Sequence, residues 1–180
     1  MTPSDSELIA RSLSESRTEA FGMLVERHQT AVRRFLRHLT RGDAALTDDL
    51  AQETFIGAYR GLQRFRSDSR FETWLLGIAY NRFRSFLRRR GALAPRADCA
   101  QDEPSEPSAE RLTDLQQDLA SSMATLSENE QLALRLCFRF GLSHAEIASA
   151  LGWPLGTVKT HIARGKHQLR ELLSAWNPKT

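Results

Sequence analysis

The sequence predicts an all-α protein: two small helical bundles joined by a flexible acidic linker, the C-terminal one a helix-turn-helix. Three observations carry that prediction. Apolar residues recur at helical spacing through most of the chain, and almost nothing alternates as a strand would. Chain-breaking residues are sparse, with 10 glycines and 6 prolines in 180 residues. Four prolines (Pro95, Pro104, Pro107, Pro154) fall outside the interiors of the periodic segments. One stretch, Ala92 to Ser108, combines Pro, Ser, Ala and acids with no period and reads as a tether. The domains expected are therefore 1–91 and 109–180, with a linker at 92–108.

The elements follow in order. Glu19 to Leu39 sets Phe21, Leu24, Val25, His28, Val32, Phe35, Leu36 and Leu39 on one helical face. Arg41-Gly42-Asp43 stops that helix. Thr47 then offers an N-cap, with Asp48 and Asp49 in the first turn where the helix dipole favours acids. This second helix is expected to reach about Phe65 and to bury Leu50, Phe55, Ala58 and Leu62. After a polar break, Ser69-x-x-Glu72 is a capping box for the next helix. Its partly apolar face holds Trp74, Leu75, Ile78, Phe83, Phe86 and Leu87. Arg88-Arg89-Arg90-Gly91 is expected to end it. Beyond the tether, Leu112, Leu115, Leu119, Met123 and Leu126 mark a further helix. Two more capping boxes, Ser127-x-x-Glu130 and Ser143-x-x-Glu146, open helices near 128–140 and 144–151. A last helix spans about Pro154 to Leu173, with proline tolerated in its first turn.

Composition excludes several classes. No apolar run approaches the ~18 residues of a membrane span, and the N-terminus lacks a basic-then-apolar leader pattern. The two cysteines, Cys99 and Cys137, form no CxxC and support neither a disulfide scaffold nor a zinc site. A reduced cytoplasm is expected. No nucleophile elbow, P-loop or dinucleotide fingerprint occurs, so no cofactor is expected. Asp48, Asp49 and Glu53 could suggest a metal, but no further ligands converge on them, so none is expected.

Charge points to a polyanion through its distribution. The net charge is only +3. Yet residues 60–90 carry nine arginines against Asp68 and Glu72, residues 98–118 carry seven acids against Arg111, and the last helix is basic again. Ala148, Gly152 and Val158 supply the small crossing residue, the turn glycine and the β-branched core residue of a helix-turn-helix. Ile147, Leu151, Val158 and Ile162 would fill its core. The opposite face of the last helix presents Thr157, Lys159, Thr160, His161, Ala163, Arg164 and Lys166. Of these, Lys159, Thr160 and Ala163 would face bases, and Thr157 and Arg164 phosphates. Between Asp48 and Arg90, Phe71, Trp74, Tyr80, Phe83 and Phe86 interleave with Arg70, Arg82, Arg84 and Arg88. That combination suits single-stranded DNA, although each aromatic taken alone, Trp74 above all, reads as core rather than platform.

These residues together resemble a known family. Asp49-Leu50-Ala51-Gln52-Glu53-Thr54-Phe55, Ala58-Tyr59-Arg60, Phe65 to Leu75 and Ile78-Ala79-Tyr80-Asn81 look like the second domain of extracytoplasmic-function (group IV) sigma factors of the sigma-70 family. Leu126-Ser127-Glu128, Gly141 to Ala148 and Pro154 to Thr160 look like their fourth domain. The resemblance implies an alternative sigma factor that is not an enzyme. It would bind bacterial core RNA polymerase, at the β′ clamp helices and the β flap, and recognise promoter DNA. Asp49, Gln52, Glu53, Phe55 and Tyr59 correspond to the clamp-docking helix. Arg66, Ser67, Asp68, Ser69, Arg70 and Phe71 with Asn81 correspond to the segment that captures a flipped base of the −10 element, with Arg84 and Arg88 on the backbone. The Lys159 to Arg164 helix corresponds to the −35 reader. An inhibitory anti-sigma factor, which could hold the chain at the inner membrane, is a further implied partner. Two competing readings predict different behaviour. A stand-alone helix-turn-helix regulator would bind a symmetric duplex site without polymerase. A nuclease using Asp48, Asp49 and Glu53 would depend on metal.

Overall fold

The computed structural model describes residues 3–14, 17–93, 119 and 121–173. Every regular element among them is helical. The chain divides into two compact units, Met1–Ser105 and Glu106–Thr180. The linker expected at 92–108 lies outside the described residues, apart from its first two positions. Leu112, Leu115 and Cys99 lie outside them as well.

The first unit opens with α1 (Asp5–Ser12), an element the periodicity argument does not anticipate. Its signal is nevertheless local. Ser4 Oγ accepts from the Glu7 amide at 3.3 Å, and Glu7 reaches back to the Ser4 amide at 2.7 Å. This is the same capping box that marks later helices. α1 buries Leu8 and Ser12 and packs on α2 (Arg17–Leu39). α3 (Ala44–Gly61), a single 3-10 turn (Leu62–Arg64) and α4 (Phe71–Leu93) complete the unit.

Its core is built where the three long helices meet. Leu24, Val32, Phe35 and Leu36 of α2, Leu50, Ala51 and Ala58 of α3, and Leu75, Leu76 and Ala79 of α4 are all at most 2% exposed. Each such leucine or phenylalanine contributes about 1.5–3 kcal/mol through burial. Hydroxyls buried among them bond locally: Thr54 donates to the Leu50 carbonyl at 2.7 Å, and Thr40 and Thr47 share a bond of 2.7 Å.

Several helix boundaries differ from expectation. α3 begins at Ala44, because Asp43, not Thr47, is its N-cap and accepts from the Leu46 amide at 2.9 Å. Arg41 and Gly42 turn the chain through left-handed conformations (φ 54° and 91°), which brings Asp43 into capping position. Thr47 is instead buried one turn in, donating to the Asp43 carbonyl at 2.6 Å. Phe55 is half-buried rather than core. The first backbone bond of α4 runs from the Trp74 amide to the Arg70 carbonyl, one residue later than the Ser69 box predicts. α4 also passes through Arg88-Arg89-Arg90-Gly91 to Leu93, since glycine ends a helix only when it adopts the left-handed conformation.

The second unit packs α5 (Glu128–Phe138) and α6 (His144–Leu151) against α7 (Leu155–Leu172). Residues 121–124 are helical and lead into Leu126, which is buried. Both predicted capping boxes form, at Ser127/Glu130 and Ser143/Glu146. Gly152 ends α6 in the left-handed conformation (φ 66°), which makes the turn into α7 without the steric cost a Cβ would add.

Candidate nucleic-acid interface

α7 separates its residues cleanly. Val158, Ile162 and Gly165 are buried, while Thr157, Lys159, Thr160, Ala163, Arg164 and Lys166 are exposed. Val158 and Ile162 join Ile147 and Leu151 in the core, none more than 4% exposed. Thr160 Oγ1 donates to the Gly156 carbonyl at 2.9 Å, which leaves its methyl and lone pairs outward. His161 departs from the expected face. It is half-buried, its ring lies 5.4 Å from that of Trp153, and its Nδ1 is buried without a hydrogen-bond partner. Lys166 stands 5.8 Å above the exposed Phe138 ring, within cation–π range.

The close crossing in this unit is at Gly165, which the sequence argument does not single out. A Cβ there would lie 2.7 Å from Leu134 Cδ1 and 3.3 Å from its Cγ, so any larger residue would require Leu134 to shift. Ala148, the expected crossing residue, is half-buried. The same approach carries charge. The Glu130 carboxyl is held below its usual 4.5, chiefly by the Ser127 hydroxyl, with smaller contributions from the Ser127 amide and the His161 and Arg164 charges. Cys137 is half-buried.

In the first unit, α3 presents an exposed stripe. Asp49 and Gln52 are exposed and Glu53 half-exposed. Ile56, 44% exposed, falls on the same face, although the motif reading omitted it. Its i+7 spacing from Asp49 is the signal that would have found it. Phe55 and Tyr59 flank the stripe half-buried, with Tyr59 edge-on to Phe21 at 5.1 Å. Arg33 pairs with Asp48 at 3.4 Å beside it. No group of three or more His, Cys, Asp or Glu that could hold a metal occurs among the described residues.

The segment between α3 and α4 forms a shaped loop. Arg66, Ser67, Asp68 and Arg70 are exposed and Ser69 half-exposed. Ser67 holds the left-handed conformation (φ 59°), uncommon for a residue with a Cβ. Phe71 differs from a free stacking platform. It is 3% exposed and packs against Phe65 (5.6 Å), Trp74 (5.5 Å) and His28 (5.4 Å). Trp74 is half-buried, between core and surface. Further along α4, Asn81, Arg84 and Arg88 are exposed, Arg84 above the Tyr80 ring at 5.8 Å and Arg88 donating to Ser85 at 3.0 Å.

Comparison with known proteins agrees with this arrangement. The Sigma-70 region 2 family model matches residues 24–92, and the Sigma-70, region 4 model matches residues 116–169. The ECF RNA polymerase sigma-E factors of Salmonella typhimurium and Escherichia coli strain K12 are each 33% identical over 177 residues, covering 91% of both chains. This chain belongs to the extracytoplasmic-function sigma factors. The ECF RNA polymerase sigma factor SigE of Mycolicibacterium smegmatis is 35% identical over 87% of this chain, which spans 63% of that relative's length. Among solved structures, the sigma factor RpoE of Bartonella quintana, in complex with the anti-sigma factor NepR, superposes with a TM-score of 0.69. Its identity is 28%, over 87% of this chain and 98% of that one. CnrH, in complex with the cytosolic domain of CnrY, gives a TM-score of 0.62 at 28% identity, over 93% and 96%. As a sigma factor of this group, the chain is an alternative initiation factor for promoter-specific transcription.

Proposed function

We propose that the two units of this sigma factor divide promoter recognition between them. The observation that carries this reading is the split of α7, whose exposed face gathers Lys159, Arg164 and Lys166 while Val158, Ile162 and Gly165 anchor it. That face enters the major groove of the −35 element, with Lys159, Thr160 and Ala163 at base edges and Thr157, Arg164 and Lys166 toward phosphates. His161 orients the helix through Trp153. The 66–70 loop, with Phe71, Asn81, Arg84 and Arg88, takes the −10 element and captures an extruded base. The exposed stripe of α3, Asp49, Gln52, Glu53 and Ile56 with Phe55 and Tyr59 at its edge, docks on the polymerase β′ clamp helices, and the second unit docks on the β flap.

The polymerase supplies the chemistry, and this chain acts without catalysing a reaction. No helix among the described residues is long and apolar enough to cross a membrane. We place the chain in the cytoplasm, held inactive by an anti-sigma factor, as the partners in the two solved complexes suggest. The large apolar side chains left exposed, Ile56 and Phe138 among them, suit such a cover.

The deciding experiment is reconstituted transcription from genomic fragments with core polymerase, with and without this chain. New start sites sharing two spaced upstream elements are expected. Specific duplex binding by the chain alone, with no new transcripts, would favour the stand-alone regulator. Arg164→Ala should reduce the slope of log K against log salt by about 0.9 for duplex binding by the assembled holoenzyme.

A further inference from the structure

The first unit contains a cavity of about 300 Å³ lined by α1, by His28 of α2, by the segment before α4 and by the start of α4, where Glu72 adds a second carboxylate beside Asp5. One wall is Phe65 and Phe71, which bring aromatic surface. A second is the polar edge Ser67, Ser69 and Arg70 of the loop proposed to take the −10 element. The third comes from α1, through Asp5, Ser6 and Ile9. The volume is at the lower end for a small-molecule site, which suits a single planar heterocycle rather than a whole nucleotide.

α1 is held in place over this cavity by a specific set of contacts. Asp5 Oδ1 accepts from Arg27 Nη1 at 2.6 Å, and Oδ2 lies 2.9 Å from Nε2 of the buried His28. Arg27 also donates to the Pro3 carbonyl at 2.7 Å. A carboxylate has about four acceptor positions, so these two bonds leave Asp5 able to accept another. Residues 24–92 match the family model, and α1 lies outside that match.

We propose that α1 forms one wall of the pocket for the extruded −10 base, with Asp5 and Ser6 as specificity-determining residues. The inference rests on the reading of the 66–70 loop given above. Asp5, an acceptor fixed by Arg27 and His28, would receive an exocyclic amine of cytosine, adenine or guanine and disfavour thymine, which carries none. Ser6 lies at the exposed side, where a hydroxyl can bond to the base or a large side chain can close the entrance.

The test uses the full chain bound to core polymerase and a short single-stranded DNA library with randomised positions, selected for retention. Three variants are compared with the parent. Ser6→Trp fills the cavity while keeping the Asp5 contacts. Asp5→Asn exchanges an acceptor for a group that also donates. Arg70→Ala alters the loop. Circular dichroism and polymerase binding confirm that each is folded and docked. The parent is expected to select an amine-bearing base at one position. Ser6→Trp should lower retention roughly tenfold, and Asp5→Asn should relax or reverse the preference at that position alone. If Arg70→Ala weakens selection while Ser6→Trp and Asp5→Asn select as the parent does, α1 is not part of the pocket and the loop reading stands. If the parent selects no base at any position, the loop reading falls and the α1 inference with it.

Discussion

On the proposed reading, the two units would meet promoter DNA with opposite shapes. The first presents a cavity bounded by a loop, two phenylalanine rings and a helix from elsewhere in the sequence. The second presents the convex face of one helix, whose working side chains need no concavity. Physical reasons separate them. An unstacked base must be enclosed to recover its lost stacking, and enclosure needs walls from several elements. A duplex already displays its base edges in a groove, so a single rigid helix suffices. Among the described residues the first unit also buries more polar groups, with Ser12, His28, Thr40, Thr47, Thr54 and Thr73 inside, against Ser122 in the second; of these only His28 lines the cavity.

The largest expected effect tests whether both shapes depend on their cores. Leu75→Ala and Leu136→Ala each empty a site that is fully buried, one per unit. Each should cost about 2–5 kcal/mol, measured by denaturant unfolding. If the units work as assigned, Leu75→Ala should damage single-strand retention first and Leu136→Ala duplex binding first. Next comes Gly165→Val, which breaks the close approach of α7 to α5. Leu134 must yield to it, and a loss of about 1–3 kcal/mol is expected, read in the same unfolding experiment. Gly152→Ala forces a Cβ into the left-handed cap at the helix-turn-helix turn and should cost about 1–2 kcal/mol by thermal melting. The first unit has no glycine-capped turn of this kind at its reading loop, where Ser67 already tolerates that conformation, so Ser67→Gly should leave stability nearly unchanged.

A further comparison concerns acid. The Glu130 carboxyl is depressed mainly by its bond to Ser127, so its folded value lies below the unfolded one near 4.5. The stabilisation is complete above that unfolded value and fades as pH falls through the folded one. Ser127→Ala should cost about 1 kcal/mol at neutral pH, and the gap from the parent should narrow in acid to what the hydroxyl's bond from the Glu130 amide contributes. Glu7 is depressed first by the Ser4 amide, which Ser4→Ala keeps, and second by the Ser4 hydroxyl, so Ser4→Ala should show a weaker dependence on acid than Ser127→Ala.

Much of the second unit is legible before any coordinates. Ser127, Ser143 and Gly152 announce their helix ends through local chemistry, and Val158 and Ile162 fall inward by spacing alone. α1 carries the same local signal, Ser4-x-x-Glu7, but its eight residues are too short for a helical period to stand out. The misplaced starts of α3 and α4 have a different origin. Several polar residues in each turn could cap, and the backbone conformations of Arg41, Gly42 and Ser67 decided which one did.

The sequence by itself determined the helices, their inward faces and the residues that mark the family, because periodicity and capping act within a few positions. Tertiary structure alone decided that Phe71 is wall rather than platform, that Gly165 is the crossing point, and that Asp5 meets His28 across 23 positions. A helical period specifies which face turns inward but carries no information about what that face will meet.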